Sequence, residues 1–440
     1  MVLLMSVLFG FHGIIENDTT WSDTAYLTGD VLVEEGITLI IDPGTVVLYA
    51  DDCEWDTTWS FEDKEYPKSL GGRIDLIVEG NLKAIGTNDD SIYLSEYEGF
   101  DVLGNIIFVR GVDSLAYCNI TVGWGKPGSF LGGGYPWGYP GMVFSNVEVS
   151  ITHSLFNGGY GIWGENATIK VSNTEFRKIL ASEYWGPDGF AGTGNVLRLD
   201  GGNLYFDSCS IINTDILMGS VIMVSNLDSY IVKSTLVKGA GGYGTGDAPP
   251  PTGAEDAGGC ECINCHYVEI VNCTFNSIRG GTGDAGAGVG RDGGDGFGIY
   301  LRDCLAGFII DNNISHISGG RGGSARIVGA NGGDAIGIEI RNCSNFLIEG
   351  NSISSIYGGG GGSGEDWDGS DGSPEPLVCY NSSPLITSNV FNSGGIYVYI
   401  DQTSQPIIGN AENKGNRFFN LEGKGDYVIY NDAPYDIEAT

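Results

Sequence analysis

Basic residues are scarce in this chain of 440 residues: 21 Lys and Arg stand against 56 Asp and Glu, a formal charge of −35. A surface this acidic lacks the cationic stripe that nucleic acid requires, which excludes that class of partner. Histidine is rarer still. His12, His153, His266 and His316 are scattered and point to no histidine-based centre. Beyond the amino terminus no apolar run reaches the roughly 18 residues of a membrane helix. No stretch keeps the apolar spacing of a sustained helix, and no Pro/Ser-rich linker divides the chain. Acidity on this scale suits a soluble surface, cation binding or a high-salt setting.

The chain does have an internal period. Cys265, Cys304 and Cys343 stand 39 residues apart, and so do Asp256, Asp295 and Asp334, and Gly259, Gly298 and Gly337. Ser234, Cys273, Asn312 and Asn351 make a further column at 39, with Asn389 following 38 later. Within each repeat, apolar residues alternate over short runs, as in half-buried strands. One repeat runs from Gly298 through Phe308 and Ile314 to Ile317. The inward residue of one strand reads Ile120, Phe156, Phe176, Ile211, Leu236, Phe275, Ile314, Ile353, Phe391, at intervals of 36, 20, 35, 25, 39, 39, 39 and 38. The short intervals give the bare coil, and the long ones add an insertion. Parallel strands stacked coil on coil with loops of variable length make an all-β fold, the parallel β-helix. Coils stacked at about 4.8 Å would place Asn351 over Asn312 and Ile314 over Phe275, as ladders along the solenoid.

The stretches Asp18-Thr-Thr-Trp21, Val33-Glu-Glu-Gly-Ile-Thr-Leu-Ile-Ile-Asp-Pro-Gly-Thr-Val46 and Val78-Glu-Gly-Asn-Leu-Lys-Ala-Ile-Gly-Thr87 resemble the amino-terminal cap of secreted right-handed parallel β-helix proteins. These are the pectate-lyase-like superfamily, including bacterial and archaeal surface proteins. Pro406-Ile-Ile-Gly-Asn410 and Tyr427-Val-Ile-Tyr430 are similar to its final coils. The resemblance implies a right-handed solenoid with a cap over its first edge. It assigns residues 1–15 to a signal-peptide remnant on their apolar character, 16–100 to the cap and first coils, and 101–440 to the helix with Gly-rich insertions. Relatives continue into an aromatic capping turn, so the carboxyl end is expected to be truncated, with any anchor or sorting domain beyond it.

Enzymes on this fold act on acidic polysaccharides, which directs a search for their residues. Asn213-Thr-Asp215 matches one hydrolase signature, but the paired aspartates and the Gly-His-Gly that should accompany it are missing. Arg291 with Asp292 and Asp295 has the residue types of a lyase base beside calcium carboxylates, inside a loop of glycines that would hold it poorly. Cys260-Glu-Cys262-Ile-Asn-Cys265-His266 has soft-metal composition without paired knuckle spacing; thiol ladder packing, a disulfide and a metal are the alternatives.

Two surface features remain. Four glycine-rich segments, 239–259, 280–298, 319–337 and 358–372, leave successive coils at one point and must lie side by side. Stacked in register, they are expected to be ordered, extended and mutually hydrogen-bonded, an arrangement small side chains permit. Asp292, Asp295, Asp334, Asp366 and Asp368 within them are candidate Ca2+ ligands together with backbone carbonyls. Trp124, Tyr135, Trp137 and Tyr139 crowd one Gly/Pro loop, with Trp163 and Trp185 from following coils. This aromatic set suits a glycan or a protein partner. With no complete catalytic set, the sequence points to a non-catalytic secreted or cell-surface protein in adhesion, glycan contact or envelope structure. A polysaccharide lyase or glycoside hydrolase and an end-to-end self-associating filament subunit are the alternatives.

Overall fold

The computed structural model describes residues 10–49, 73–96, 103–121, 141–158, 161–177, 179, 195–214, 219–241, 254, 256–286, 288–393, 398–409, 415–419 and 429–431. The chain divides into two compact units, residues 1–184 and 185–440. Both are parallel β-helix by their strand pairing, and no α-helix occurs among the described residues. None is therefore long and apolar enough to cross a membrane.

In the first unit three parallel sheets wrap one core. The strands Thr24–Val33, Arg73–Val78, Leu103–Phe108 and Met142–Ser145 pair in order along one of them. Thr38–Ile41, Asn81–Ile85, Val112–Ala116 and Glu148–Thr152 make the second. Val46–Tyr49, Ile92–Glu96, Cys118–Ile120, Leu155–Asn157 and Glu175–Arg177 make the third. Gly10–Ile15 pairs in parallel with Thr24–Val33. The alternation that signals strands in the sequence turns Leu39, Leu82, Leu115 and Val149 into the core, all fully buried. Ile120, Phe156 and Phe176 stack as expected, the two rings 4.6 Å apart.

The second unit repeats the plan. Ala257–Ile263, Gly296–Arg302, Ala335–Arg341, Pro374–Tyr380 and Val398–Ile400 form one wall. Tyr267–Val271, Ala306–Ile310 and Phe346–Glu349 form another, and Thr274–Arg279, Asn313–Ser318 and Ser352–Tyr357 the third. The inward row is Ile211, Val237, Phe275, Ile314, Ile353, Phe391 and Phe418. Val237, not Leu236, therefore holds this position, and buried Thr235 rather than Ser234 heads the Asn column. The cause is one coil that is a residue shorter: Leu236 pairs with Thr274, 38 positions on. A one-residue slip exchanges inward for outward side chains.

The Asn column satisfies itself. Asn351 Nδ2 donates to the Ile309 carbonyl (2.8 Å) and to Asn389 Oδ1 (2.9 Å), while its own Oδ1 accepts from the Asn312 amide nitrogen and Nδ2. Asn416 extends the column beyond Asn389. A second Asn/Asp column turns the corner between two walls. Asn264, Asp303, Asn342 and Asn381 take φ of 52°, 57°, 51° and 44°, the left-handed region these side chains tolerate. Cys265, Cys304 and Cys343 stack inward, as ladder packing requires, and the column continues into Ser382. The nine described cysteines are buried. Burial pushes the Cys118 and Cys273 thiols up to about 12.

Candidate functional site: a glycine sheaf and its acidic root

Between the third wall and the first, three successive coils of the second unit throw out a hairpin instead of turning directly. One arm leaves after Arg279, Ser318 or Tyr357, and the other returns to Gly296, Ala335 or Pro374. Outgoing arms bond to the next outgoing arm at every third residue: Gly280 to the Ser318 carbonyl, Gly283 to Arg321, Gly286 to Ser324. Returning arms do the same, Gly290 to Val328 and Gly293 to Asn331. The intervening residues bond between arms of opposite direction. Gly333 donates to Gly320 within its own hairpin, and Gly320 donates to Gly294 of the preceding one. Gly359 then donates to Gly333, continuing the pattern through the third hairpin.

The period of three is a finding the strand-like reading did not contain. A chain of polyproline-II type has threefold symmetry and no internal hydrogen bonds, so its amides point outward in three directions. Side by side, such chains satisfy each other in two layers. Glycine is needed for proximity: Gly320 and Gly333 keep ordinary negative φ, but a Cβ on Gly320 would strike the Gly281 carbonyl and one on Gly333 the Gly294 carbonyl. The expectation of extended and mutually hydrogen-bonded arms therefore holds for the described residues of hairpins 280–296, 319–335 and 358–373. In the segment 239–259, residues 242–253 and 255 lie outside the described residues.

Among the described residues of the three hairpin arms, the large apolar groups stand at the far ends. Val289, Val328 and Trp367 are joined as parallel bridges, and Ile327 donates its amide to the Gly288 carbonyl at 3.1 Å. Val289 is 65% exposed, Ile327 47% and Trp367 72%. Exposed Arg326, Glu365, Asp366 and Asp368 surround them, and Asp368 Oδ1 accepts from the Gly364 amide to close the last turn. These residues sit at the midpoints of the glycine segments, in the 39-residue register. That position was the signal available in the sequence and was overlooked there.

At the root, aspartates form a ladder along the returning arms. Asp256 Oδ1 accepts the Asp295 amide (2.7 Å), Asp295 Oδ1 the Asp334 amide (2.6 Å), and Asp334 Oδ1 the Ser373 amide (2.7 Å). Asp292 likewise accepts the Asn331 amide at 2.8 Å. Four of the five calcium candidates, Asp292, Asp295, Asp334 and Asp368, thus spend an oxygen on backbone groups, and Asp366 lies with Asp368 at the tip. The structure does not bring the five together. Among the described residues no three Asp, Glu, His or Cys side chains converge as a metal ion needs. Arg291 is directed to Asp284, at 3.7 Å.

Beside the root, the outer face of the first wall carries Glu261, Tyr300, Glu339, Val378 and Tyr399 in register. Phe297, Ile336 and Val378 are buried on this face, packed by Tyr300, Tyr380 and Tyr399. Arg341 pairs with buried Glu339 and lies over the Tyr380 ring at 4.4 Å. Burial raises the Glu261 and Glu339 carboxyls. Glu375 is pushed up to about 7 by burial and then by Asp334, Glu339 and Asp295. Burial pushes Asp295 up to about 6, against the Asp334 amide, which lowers it.

Of the aromatic set, Trp124, Tyr135, Trp137, Tyr139 and Trp185 lie outside the described residues, as does Asp215. Trp163 is half-buried, ending an outward row of buried Leu32, Ile77, Ile107 and Val143. Cys260, Cys262 and Cys265 point inward, whereas exposed His266 turns to Asp228 (3.1 Å), so this cluster does not converge on a metal.

No family model matches the chain, and no curated protein matches it. Among solved structures it is similar to the periplasmic alginate epimerase AlgG, with TM-score 0.37 and 11% identity over 91% of this chain and 78% of that one. It is similar to PfbA, a surface adhesin of Streptococcus pneumoniae, with TM-score 0.35 and 11% identity over 94% and 83%. The Dettilon tailspike protein follows at TM-score 0.31 and 12% identity, over 90% and 60%. By its own strand order and coil register, the chain is a parallel β-helix protein.

Proposed function

We propose that this is a non-catalytic secreted or cell-surface protein that makes contact with a polysaccharide or another cell-surface component. The sheaf carries the reading. Its hairpins leave and return at one corner of the coil, so the solenoid closes without them. Their backbone is locked by the three-way bonding and their tips are apolar and exposed. A projection ordered in advance loses little entropy on binding, which is what a recognition element needs. Soluble and insoluble polysaccharides, acidic and neutral, and whole cells are the substrates for the test. Retention of the full chain without new reducing ends or unsaturated uronates is expected. Failure to bind any of them removes the reading.

The root wall favours a second reading, a carbohydrate-active enzyme. Burial and then the neighbouring carboxylates push Glu375 up to about 7, with Arg341 acting against them and Tyr380 raised in turn by its own burial and then by Glu375. A carboxyl partly protonated near neutrality can serve as a general acid. Turnover of a polysaccharide that survives purification and disappears in Glu375→Gln would establish it in place of the first.

A further inference from the structure

The row of tips has a chemistry of its own. Trp367 stands 72% exposed at the end of a hairpin that cannot sag, because Asp366 and Trp367 donate their amides to the Ile327 carbonyl (3.0 and 3.4 Å) and Glu365 to that of Arg326 (3.2 Å). Ile327 in turn is tied to Gly288 of the first hairpin. An indole offered to water on a rigid support is an aromatic platform with one polar edge. Its immediate neighbours are the exposed carboxylates of Glu365, Asp366 and Asp368, with the Arg326 guanidinium on the adjacent tip. Three negative charges to one positive repel uronates, sulfated sugars and phosphate, and the chain's overall −35 acts in the same direction.

We propose that this tip is a saccharide subsite for a neutral pyranose, which stacks its C–H face on Trp367 while Asp366 and Glu365 accept hydrogen bonds from its hydroxyls. Val328 and Val289 hold the same position as Trp367 on the two preceding hairpins, with exposed Ile327 next to Val328. The ligand class is a neutral hexose polymer that lies across the tips. This rests on the glycan-contact reading above and narrows it to one site and one charge class.

The test uses the full chain and two panels, neutral hexose oligosaccharides and uronate oligosaccharides, with binding followed by calorimetry. At least one neutral oligosaccharide should bind while uronates do not. Trp367→Ala should weaken it by about tenfold or more, the effect of losing one stacked ring, and Trp367→Phe should keep most of the affinity. Because the ring is exposed, far-UV circular dichroism and the amide exchange of residues 319–334 should match the parent, which separates lost contact from lost structure. Three results overturn the proposal: uronates binding in preference, neutral binding unchanged in Trp367→Ala, or no saccharide binding at all. The second leaves the broader glycan-contact reading standing. The third, if cells are not bound either, removes both.

Discussion

Gly320→Ala should loosen the sheaf without unfolding the solenoid. The Cβ introduced there would fall well inside contact distance of the Gly281 carbonyl oxygen. Both atoms belong to backbone, so no side chain can swing away, and reaching ordinary contact near 3.5 Å moves one arm by roughly 1 Å or more. Gly320 donates to Gly294 at 2.8 Å, Gly333 donates to Gly320 at 2.9 Å, and Gly294 donates to Gly281 at 2.9 Å. That shift stretches all three past the ~3.2 Å limit of an N–H···O bond. At about 0.5–1.5 kcal/mol each, the loss is about 1.5–4.5 kcal/mol of sheaf stability, less about 0.4–1 kcal/mol because alanine also restricts the unfolded chain. Gly360→Ala is the matched control, since its added Cβ meets nothing nearer than Asp371 Oδ1 at 3.9 Å. Hydrogen exchange by mass spectrometry should show faster exchange across 280–296, 319–335 and 358–373 in the first variant alone. Peptides covering the walls, such as 297–302 and 336–341, should be unchanged in both. Equal protection of the sheaf in the two variants would refute the close-packed account.

Two further outcomes follow from buried polar groups. Asn351→Ala removes the acceptor of Asn312 and the donor to the Ile309 carbonyl, both in the interior, and should cost about 3 kcal/mol or more in urea unfolding; a loss under about 1 kcal/mol would show that water replaces the amide. The thermal transition should rise as pH falls from 8 to 5, contrary to ordinary acid denaturation, because burial raises Asp113 to about 7, Asp295 to about 6 and Glu375 to about 7. Groups raised in the folded state stabilise it fully while protonated, below their unfolded range near 4, and that contribution disappears as pH climbs through 6 to 7; Asp113→Asn, Asp295→Asn and Glu375→Gln combined should flatten the profile, and a melting temperature falling over this range in the parent would contradict the assignment.

The ladders were legible because identical residues recur at one interval, and in a solenoid that interval is a spatial neighbourhood. Cys265, Cys304 and Cys343, or Asn312, Asn351 and Asn389, need no further information to be stacked. Register failed where the period did. A coil shorter by one residue exchanged Val237 for Leu236 and Thr235 for Ser234, and nothing local in Leu236-Val237 marks the change, since both are apolar. The outer wall was invisible for another reason. Glu261, Tyr300, Glu339, Val378 and Tyr399 occupy one register position but vary among Glu, Tyr and Val, so the repeat that reveals the core conceals its outer surface. The Glu261 and Glu339 carboxyls are raised by burial first and by Asp256 after it, which sequence spacing does not express.

Glycine content announced the hairpins and their common exit, yet it left open how their backbones would pair, and there the physics is decisive. Two-residue periodicity would bond each arm only to neighbours in its own layer and leave the facing layer to side chains, which glycine lacks. Threefold periodicity distributes the same amides among neighbours in both layers. Glycine's lack of a Cβ, a source of disorder in an isolated loop, then becomes the condition for contact between layers. The same argument explains why side chains appear where they do. In hairpins packed this closely, side chains cannot enter between the layers, and the large apolar groups stand at the open ends. Val289, Ile327 and Trp367 stand at those ends, where interlayer packing no longer excludes a ring and where a partner from outside can reach it.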